Sequence, residues 1–340
     1  MSGRRALAVR LDNAGDVLLA GPAIRAMAGH CGPVTLLAGP SGAGAGRLLP
    51  DVAEVITWDA PWVGFAPPPV GRADVLALVD RIAAGGFTDA VVFTSFHQSP
   101  LPAALLLRMA GVGRISGFSV DYPGALLDVR ARLDADVPEA ERALALAAEA
   151  GFAPRPGDDG RLAVRRPLPD VTALTGGEPY VIVHPGASVP ARRWPPERCA
   201  EAVRALGARG RRAVVTGGPD ERELTARVAG TAALDLGGRT AWPELAAVFA
   251  NASAVITGNT GPAHLAAAVG TPVVSLFSPV VPAERWAPHG VPHVLLGDQG
   301  AACRGTRARE CPVPGHPCLS DVSGEAAADA VEKLLAEVSS

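Results

Sequence analysis

Short apolar runs alternate with Ala- and Leu-rich stretches of helical length along almost all of this 340-residue chain. Such alternation is typical of a parallel β-sheet covered by helices. The chain is too long for one ordinary hydrophobic core, so the alternation predicts two α/β domains. In the first half we assign strands to residues 7–11, 34–38, 55–57 and 90–94, helices to 18–30, 73–85, 102–110 and 138–150, and a proline-rich surface loop to 60–71.

The alternation breaks between residues 151 and 178, where four prolines and the pair Gly176-Gly177 indicate an interdomain linker. In the second half we assign strands to 180–184, 212–216, 254–257 and 272–277, and helices to 196–208, 220–229, 242–250, 262–269 and 324–338. We place the domains at residues 1–165 and 179–322, the linker at 166–178, and a closing helical segment at 323–340 that packs back on the first domain. Ligands of doubly wound sheets bind outside the carboxyl ends of the strands, so we expect a site at the turns there, in a cleft between the domains.

Composition excludes several classes of protein. The chain is 48% hydrophobic and 19% charged with a net charge of −3, which predicts a folded protein without the basic face of a nucleic-acid binder. No apolar run approaches the roughly 18 residues of a membrane helix, and the apolar stretch after Arg5 is too short for a signal peptide. We therefore expect a cytoplasmic location. Five cysteines, an odd number, argue against a disulfide framework.

The turn at residues 258–264 is the most informative of these turns. It reads Gly-Asn-Thr-Gly-Pro-Ala-His and lies between an apolar strand and a helix. Backbone N–H groups at a glycine turn and at a helix N-terminus together form an anion site, and Pro262 suits the first helical turn. Asn259, Thr260 and His264 add side-chain hydrogen bonds around the anion. We interpret the turn, including Gly261, as a cradle for a diphosphate or a sugar.

The turn after the first strand contains Asp16 at the start of a helix. An acid at this position is a favourable cap, and it is equally suited to take a proton from a hydroxyl at the edge of the sheet. The segment alone leaves both interpretations open. The turn has one glycine, Gly15, where a dinucleotide fingerprint has three, so a nicotinamide site is poorly supported.

The turn that opens the second domain offers backbone donors and a hydroxyl at Gly186 and Ser188. Arg192 and Arg193 add guanidinium groups, which pair with phosphate in a bidentate manner. An adjacent arginine pair is also common on a solvated face. Trp194, directly before Pro195 and a helix, favours an anchored loop instead.

Two further segments have weaker signals. Thr216, Gly217 and Gly218 form another strand-to-helix turn, whose glycines permit close approach of a flat group or a phosphate. Near the C-terminus, the spacing of the side chains that could ligate a metal fits no common zinc module, so we expect reduced thiols that pack an irregular loop rather than a metal site. These side chains are Cys303, Cys311, His316 and Cys318.

Four segments, taken in order and at their spacing, resemble glycosyltransferase family 9, the heptosyltransferases that act on lipopolysaccharide core. They are RLDNAGDVLLAGPAIRAM near the N-terminus, VIVHPGASVPARRWPPERC, VVTGGPDE and GNTGPAHLAAAVGTPVVSLF. The closing CPVPGHPCL is similar to the end of many members. The resemblance implies a GT-B fold, in which two Rossmann-like domains with parallel sheets face each other across a central cleft. It also implies transfer of a sugar from an ADP-linked donor, typically ADP-heptose, with inversion at the anomeric carbon.

The resemblance assigns roles by position. Asp16 matches the catalytic base. Arg192 stands where heptosyltransferases usually keep a Lys on the donor diphosphate, and Asn259 stands where an acid usually contacts the donor sugar. The residues assigned to the donor are Gly186, Ser188, Arg192, Arg193, Thr216, Gly217, Gly218, Asn259, Thr260, Gly261 and His264, and those assigned to the acceptor are Asn13, Gly15, His97 and Gln98.

We therefore expect an inverting transferase that moves a heptose from an ADP-linked donor to a hydroxyl of a glycoside or glycolipid, with no metal, no cofactor and at most peripheral membrane contact. Two alternatives stay open: a GT-B-like epimerase or hydrolase of nucleotide sugars, and a non-catalytic sugar-nucleotide-binding protein. The acceptor is open between lipopolysaccharide core and a small-molecule glycoside. The neutral, apolar loop 59–72 has little of the basic character that a phosphorylated lipid core attracts.

Overall fold

The computed structural model describes residues 3–133 and 136–339, and the chain divides after Arg165 into two compact units. The elements of the first unit are β1 (Ala6–Arg10), α1 (Ala14–Leu19), α2 (Gly21–Cys31), β2 (Val34–Ala38), α3 (Pro40–Leu48), β3 (Val52–Thr57), α4 (Arg72–Ala84), β4 (Asp89–Val92), α5 (Leu101–Met109), β5 (Arg114–Phe118), β6 (Val129–Ala131) and α6 (Glu139–Glu149).

The second unit begins at Arg166 and contains the remaining elements. They are α7 (Thr172–Thr175), β7 (Val181–His184), α8 (Pro196–Ala208), β8 (Ala213–Val215), α9 (Arg222–Ala229), β9 (Leu234–Asp235), α10 (Trp242–Ala250), β10 (Ala254–Gly258), α11 (Gly261–Val269), β11 (Val273–Leu276), α12 (Ala283–Trp286), β12 (His293–Leu296), α13 (Pro317–Ser320) and α14 (Gly324–Ser339).

The first sheet has the strand order β3-β2-β1-β4-β5-β6, and its neighbours all run parallel. Every residue of β1, β2 and β4 is buried, as expected for strands covered by helices on both faces. This is the Rossmann order, in which the direction of winding changes between the first and fourth strands. Ligands of such sheets bind outside the carboxyl ends of those two strands, and the turn with Asp16 follows β1.

The second sheet repeats the arrangement, with the order β12-β11-β10-β7-β8-β9 and parallel neighbours throughout. Its winding changes between β7 and β10. The segments 185–193 and 259–264 follow these two strands. The expectation of two Rossmann-like α/β domains is therefore confirmed, and in each unit the polar turns lie where such a sheet binds its ligand.

Helix α14 belongs to the second unit. Its apolar residues Ala327, Ala328, Val331 and Leu334 are buried in the same core as β7, β8 and α8. A Cβ atom on Gly324 would lie 2.3 Å from the backbone nitrogen of Ala202, so this glycine allows α14 to begin directly against α8. The prediction that the closing helix packs on the first domain is wrong, because the second unit buries its apolar face.

Salt bridges also hold α14 against the end of α8. Arg209, just after α8, donates to Glu325 at 2.8 Å and to Asp329 at 2.5 Å. Arg211 forms two bonds of 2.8 and 2.7 Å to the carboxylate of Glu332. These pairs fix the register of α14 against the end of α8.

Candidate active site

A buried arginine organises the carboxyl edge of the first sheet. Arg10, the last residue of β1, is 3% exposed. Its Nη2 donates to Asp16 Oδ1 at 2.8 Å and to Ser95 Oγ at 2.9 Å. Its Nε lies 3.0 Å from Asp12 Oδ2, an ion-pair distance without hydrogen-bond geometry. One cation therefore holds two carboxylates and a hydroxyl at the point where the winding changes.

The charges of this cluster depend on one another. Burial disfavours the charged form of Arg10, but the carboxylates of Asp12, Asp16 and Glu139 outweigh burial and raise its pKa. Burial raises the pKa of Asp12, and the negative charge of Asp16 adds to this effect, against the opposing influence of Arg10 and Gln98. Arg10 is thus a permanent cation, and Asp12 is a weaker acid than an ordinary Asp and is turned inward.

The two carboxylates differ in what they can reach. Asp12 Oδ1 accepts a bond of 2.6 Å from Gln98 Nε2, and Gln98 Oε1 accepts the backbone N–H of Ser95 at 3.0 Å. The other carboxylate oxygen of Asp12, Oδ2, faces Arg10, so the carboxylate of Asp12 is enclosed. The side chain of Asp16 keeps 19% of its surface exposed, against 9% for Asp12. Asp16 is the carboxylate better placed to meet a substrate.

The cap interpretation of Asp16 is not supported. The residue before α1 is Asn13, which is exposed and makes no side-chain cap hydrogen bond, and the side chain of Asp16 bonds to Arg10. Of the residues predicted for the acceptor, the structure brings Gln98 into the Arg10 cluster. Gly15 is buried within α1, and His97 is exposed with its ring edge-on to Phe96 at 5.3 Å between centroids.

Sequence reasoning missed the residues that hold this cluster. Arg10, Asp12 and Ser95 are described above, and Arg142 of α6 is a further one. Arg142 Nη1 donates to Thr94 O at 2.5 Å, and its guanidinium lies 4.3 Å from the centre of the Phe118 ring. It anchors the loop after β4. The available signal was an arginine at the end of an otherwise apolar strand, a position that a parallel sheet buries.

In the second unit, the turn at 258–264 has the predicted form. Thr260 is the residue before α11, but its hydroxyl makes no cap bond. Among the described residues, Thr260 Oγ1 is buried without a hydrogen-bond partner. It lies beside the first N–H groups of a helix of nine residues, with Pro262 in the first turn. Pro262 has no N–H and Ala263 donates its N–H to Thr260 O at 3.0 Å, so the donors that the turn can offer to an anion are the Thr260 hydroxyl and the N–H of Gly261.

Asn259 has a structural role in this turn. It is 3% exposed, its Nδ2 donates to Ser278 O at 3.3 Å, and its Oδ1 accepts the N–H of Ser278 at 3.3 Å. The amide thus ties the loop after β10 to the loop after β11. A carboxylate has no donor for Ser278 O, so an acid in this place makes only one of the two bonds. Contact of Asn259 with a donor sugar stays a prediction.

The turns after β7 and β10 touch. A Cβ atom on Gly258 would lie 2.8 Å from the carbonyl oxygen of Arg192, so only a glycine lets the two backbones approach this closely. Arg192 is partly buried and Ser188 is exposed. Arg193 donates from Nη2 to Ala187 O at 2.9 Å and so braces its own loop. The structure brings the predicted donor residues of both turns to one edge of the sheet.

Glu221, which sequence reasoning did not select, joins the turns after β7 and β8. Its Oε2 accepts the N–H of Gly218 at 2.8 Å, and a Cβ atom on Gly186 would lie 2.0 Å from its Oε1. His184 Nδ1 lies 2.9 Å from Thr216 Oγ1, and its Nε2 is 3.9 Å from Glu221 Oε2. Burial lowers the pKa of His184 despite that carboxylate, so the imidazole is neutral.

The cysteine- and proline-rich segment 298–320 packs behind the arginine loop. Ala191 donates its N–H to Arg309 O at 2.8 Å, and the ring of His316 lies with Nε2 3.2 Å from Ala191 O. His316 adopts a left-handed backbone conformation with φ of 54°. Cys303 is buried in an apolar cluster with Ala191. The segment therefore supports the loop that carries Arg192.

The thiols in this segment are free. Burial raises the pKa of Cys318 to about 11, so this thiol is neutral near pH 7. Cys311 Sγ donates to Val313 O at 3.3 Å. Within residues 3–133 and 136–339, no three His, Cys, Asp or Glu side chains are grouped so that they could hold a metal ion. In the same part of the chain, no helix is long and apolar enough to span a membrane.

Comparisons with known proteins bear on the family and the fold. Lipopolysaccharide heptosyltransferase 3 of Escherichia coli is 36% identical over 107 residues, which are 30% of this chain and 32% of that relative. The match thus spans about a third of the relative's length. The structure of E. coli ADP-heptose lipopolysaccharide heptosyltransferase II superposes with a TM-score of 0.76 at 20% identity, covering 99% of this chain and 100% of that one.

A second solved structure, E. coli heptosyltransferase WaaC with ADP-2-deoxy-2-fluoro heptose, superposes with a TM-score of 0.71 at 20% identity. It covers 97% of this chain and 99% of that one. At this identity the likeness shows the fold, which is GT-B. The family profile "Glycosyltransferase family 9 (heptosyltransferase)" matches residues 91–315, about two thirds of the sequence. The chain belongs to glycosyltransferase family 9.

Proposed function

We propose that the protein is an inverting glycosyltransferase that moves a sugar from an ADP-linked donor to a hydroxyl of a glycoside or glycolipid, with Asp16 as the general base. The observation that carries the proposal is the Arg10–Asp16 pair at the switch point of the first sheet. A carboxylate that is held by a buried cation and still partly exposed is suited to accept a proton from a bound hydroxyl.

The reaction balances in one displacement. Asp16 uses Oδ1 for Arg10, and we assign Oδ2 to the acceptor hydroxyl. The hydroxyl proton moves to Asp16 while the oxygen forms a bond to the anomeric carbon, on the face opposite the nucleotide. The bond from that carbon to the diphosphate breaks, and ADP leaves with the electron pair. General-base action of this kind contributes about 100- to 10,000-fold.

The second unit supplies the groups that an anionic leaving group needs. Thr260 Oγ1 and the N–H of Gly261 can donate to the diphosphate, and Arg192 adds a fixed positive charge. Glu221 follows β8, the second strand of this Rossmann unit. In Rossmann domains that place is typical of the acid that bonds a ribose hydroxyl, so we assign Glu221 to the ribose of the donor.

An ADP-heptose is the first donor to test. A heptosyltransferase of the same fold holds ADP-2-deoxy-2-fluoro heptose, and another is named for ADP-heptose. We propose that no metal takes part, because Arg192 and the helix N-terminus supply positive potential toward the diphosphate. Activity is then the same with and without a chelator. Loss of activity in chelator, restored by a divalent metal, contradicts this part of the proposal.

Asp16→Asn tests the base directly. We expect kcat to fall about 100- to 10,000-fold while ADP still raises the melting temperature by the same amount as in the wild type. Asp80→Asn, an exposed aspartate on α4, is the matched control and leaves both unchanged. Nucleotide release is measured with and without an acceptor. Release without an acceptor indicates a hydrolase or epimerase, and normal turnover by Asp16→Asn removes Asp16 from its role.

A further inference from the structure

The loops beside Asp16 carry no cationic side chain. Three loops follow β3, β4 and β5 at residues 58–71, 93–100 and 119–128, and none contains Lys or Arg. Their charged residues are the acids Asp59, Asp121 and Asp128. Since recognition of phosphate or carboxylate relies on Arg, Lys or clustered backbone donors, these loops are poorly equipped for an anionic acceptor.

The same loops expose large apolar side chains, which we call the apolar rim. Val120 is 91% exposed, Tyr122 85%, Val70 75%, Phe65 50% and Phe96 39%. Most of the exposed large hydrophobic residues of the described chain lie in the first unit, whereas Val338 is the one in the second. Apolar side chains concentrated at one edge of a sheet mark an interaction surface rather than scattered exposure.

Strand order places the rim on both sides of the base. The loop after β4 lies next to β1, and its Ser95 and Gln98 bond to the Arg10 cluster, so Phe96 is joined by chain continuity to the base's own network. Strands β3 and β5 each lie two places from β1, about 10 Å away at the usual strand spacing. A molecule that lies on the rim can therefore reach Asp16 with a hydroxyl.

The indoles beneath the rim belong to the core. Trp58 and Trp62 pack with Leu11 and Leu107 around a gap no larger than a water molecule. Trp58 Nε1 donates to Asp74 Oδ2 at 2.7 Å, which fixes this indole at the start of the loop. No part of a substrate fits in the gap, so the exposed side chains of the rim are the apolar surface that an acceptor can meet.

Two of the arginines next to these loops, Arg130 and Arg108, hold the loop backbone, whereas Arg72 at the start of α4 is exposed. Arg130 donates from Nε to Ser119 O at 3.0 Å and from Nη2 to Val120 O at 2.6 Å. Arg108 bonds to Ala125 O at 3.0 Å and pairs with Asp128. Both guanidinium groups fix the backbone under the rim, and Asp128 offsets the charge of Arg108.

We propose that the apolar rim selects an uncharged glycoside acceptor that carries an apolar aglycone. The inference rests on the proposed transfer at Asp16 and names the substrate class of that reaction. The aglycone packs on Tyr122 and Phe96, and the sugar presents its hydroxyl to Asp16. An acceptor that carries phosphate or carboxylate finds no paired charge on the three loops.

Matched acceptor pairs test the proposal. We use octyl and methyl β-glycosides of several neutral hexoses, below the micelle concentration of the octyl compounds, together with their 6-phosphates. We expect kcat/KM at least tenfold higher for octyl than for methyl glycosides, because burying even part of an alkyl chain favours binding, and at least tenfold lower for the phosphates. Equal use of octyl and methyl glycosides, or preference for the phosphates, overturns the proposal.

Variants identify the surface. Tyr122→Ala and Phe96→Ala are expected to lower the octyl-to-methyl ratio about three- to tenfold, while Tyr122→Phe keeps it. Val120→Arg improves use of the phosphates. Val338→Ser, an exposed apolar site in the second unit, is the control that changes neither ratio. Ratios that the rim variants leave at the wild-type value contradict the assignment.

Binding separates this inference from the proposed function. A change in tryptophan fluorescence on addition of octyl glycosides reports on binding near Trp62, in the loop after β3, without any turnover. If no acceptor is glycosylated but octyl glycosides bind and Tyr122→Ala weakens them, transfer fails and the apolar site stands. If an acceptor is glycosylated but octyl glycosides do not bind, the proposed transfer stands and the apolar acceptor site is wrong. Co-sedimentation with phosphatidylcholine vesicles, abolished by Val120→Arg and Tyr122→Ala, identifies a membrane surface instead and overturns the acceptor proposal.

Discussion

The two units share one strand order and differ in the chemistry at its switch point. In the first unit, the edge between β1 and β4 holds a buried guanidinium, Arg10, between two carboxylates. In the second, the edge between β7 and β10 holds glycines, a helix N-terminus and the hydroxyl of Thr260. Burial at the first edge raises the pKa of Asp12, whereas the second edge offers the Thr260 hydroxyl and a helix N-terminus to an anion.

This difference follows from what the backbone does at each edge. In the second unit the backbone itself makes close contacts, such as Gly258 against Arg192 O and Gly186 against Glu221. In the first unit Gly39 and Gly42 also approach the turn after β1 closely, and side chains add bonds among Arg10, Asp16 and Ser95. The comparison teaches that close glycine contacts support both edges, whereas the edge of the first unit also depends on a buried charge. Each prediction below tests one side of that contrast.

Removal of the central cation has the largest expected effect. Arg10→Met leaves the buried carboxylate of Asp12 and the partly exposed carboxylate of Asp16 without their shared cation, and breaking a buried ion pair in this way costs about 3–5 kcal/mol. We expect a loss of that size in the free energy of unfolding in urea at pH 7, with turnover abolished. Arg10→Lys keeps the positive charge, so we expect a smaller loss in the free energy of unfolding. An Arg10→Met protein as stable as the wild type shows that the cluster does not depend on this cation.

Added volume at the second edge comes next. In Gly258→Ala, the new Cβ lies 2.8 Å from the backbone oxygen of Arg192, which cannot move without displacing its loop. Overpacking of this kind costs about 1–3 kcal/mol. We expect that loss together with a rise of at least tenfold in KM for the donor, while acceptor KM is unchanged.

Gly207→Ala is the matched control for this substitution. Gly207 lies in α8, and a Cβ atom added there would have no neighbouring atom within 4 Å. Alanine at this position therefore raises stability by roughly 0.5–1 kcal/mol through helix propensity. If Gly258→Ala behaves like Gly207→Ala, the close approach of the two turns is not required.

A smaller effect is expected where a single bond is exchanged. Asn259→Asp removes the donor to Ser278 O and places a carboxylate beside that oxygen, at a residue 3% exposed. We expect a loss of about 1–2 kcal/mol at pH 7 that shrinks at low pH, where a protonated carboxyl can donate. Asn13→Asp, exposed before α1, is the control with no measurable change. Unchanged stability of Asn259→Asp shows that the Ser278 bonds contribute little.

Much of this architecture was predictable from the sequence, because strands of buried parallel sheets read as apolar runs and their turns as Gly-rich polar segments. The turn before α11 and the position of Asp16 belong to that class. Helix α3 was not predictable in this way, because glycines in a sequence indicate a loop rather than a helix. A Cβ atom on Gly39 would lie 2.3 Å from Leu11 O, and one on Gly42 would lie 2.7 Å from Asp12 O. Contact with the turn after β1 requires these glycines and overrides helix propensity.

Other features depend on contacts between distant residues, and no local pattern contains them. The predicted helix 18–30 is two helices, α1 and α2, because Pro22 removes a backbone donor and clashes with the preceding turn. Arg10 falls in a run that reads as strand, and its partner Ser95 lies 85 residues away. The place of α14 is set by Gly324 against α8, which only the folded chain reveals.

The smallest expected effect is a pH dependence of opposite sign in the two units. Burial raises the pKa of Asp12, so its contribution to stability is present below about pH 4 and is lost as the pH rises through the raised value. Burial lowers the pKa of His184, so its contribution is present above about pH 6.5 and is lost as the pH falls through the lowered value. Each slope of stability against pH is at most about 1.4 kcal/mol per pH unit for one proton.

Urea unfolding between pH 4 and 8 measures both slopes. Asp12→Asn is expected to remove the decline in stability toward high pH, and His184→Gln is expected to remove the decline toward low pH. If both substitutions change the same limb of the profile, the electrostatic contrast between the units is wrong.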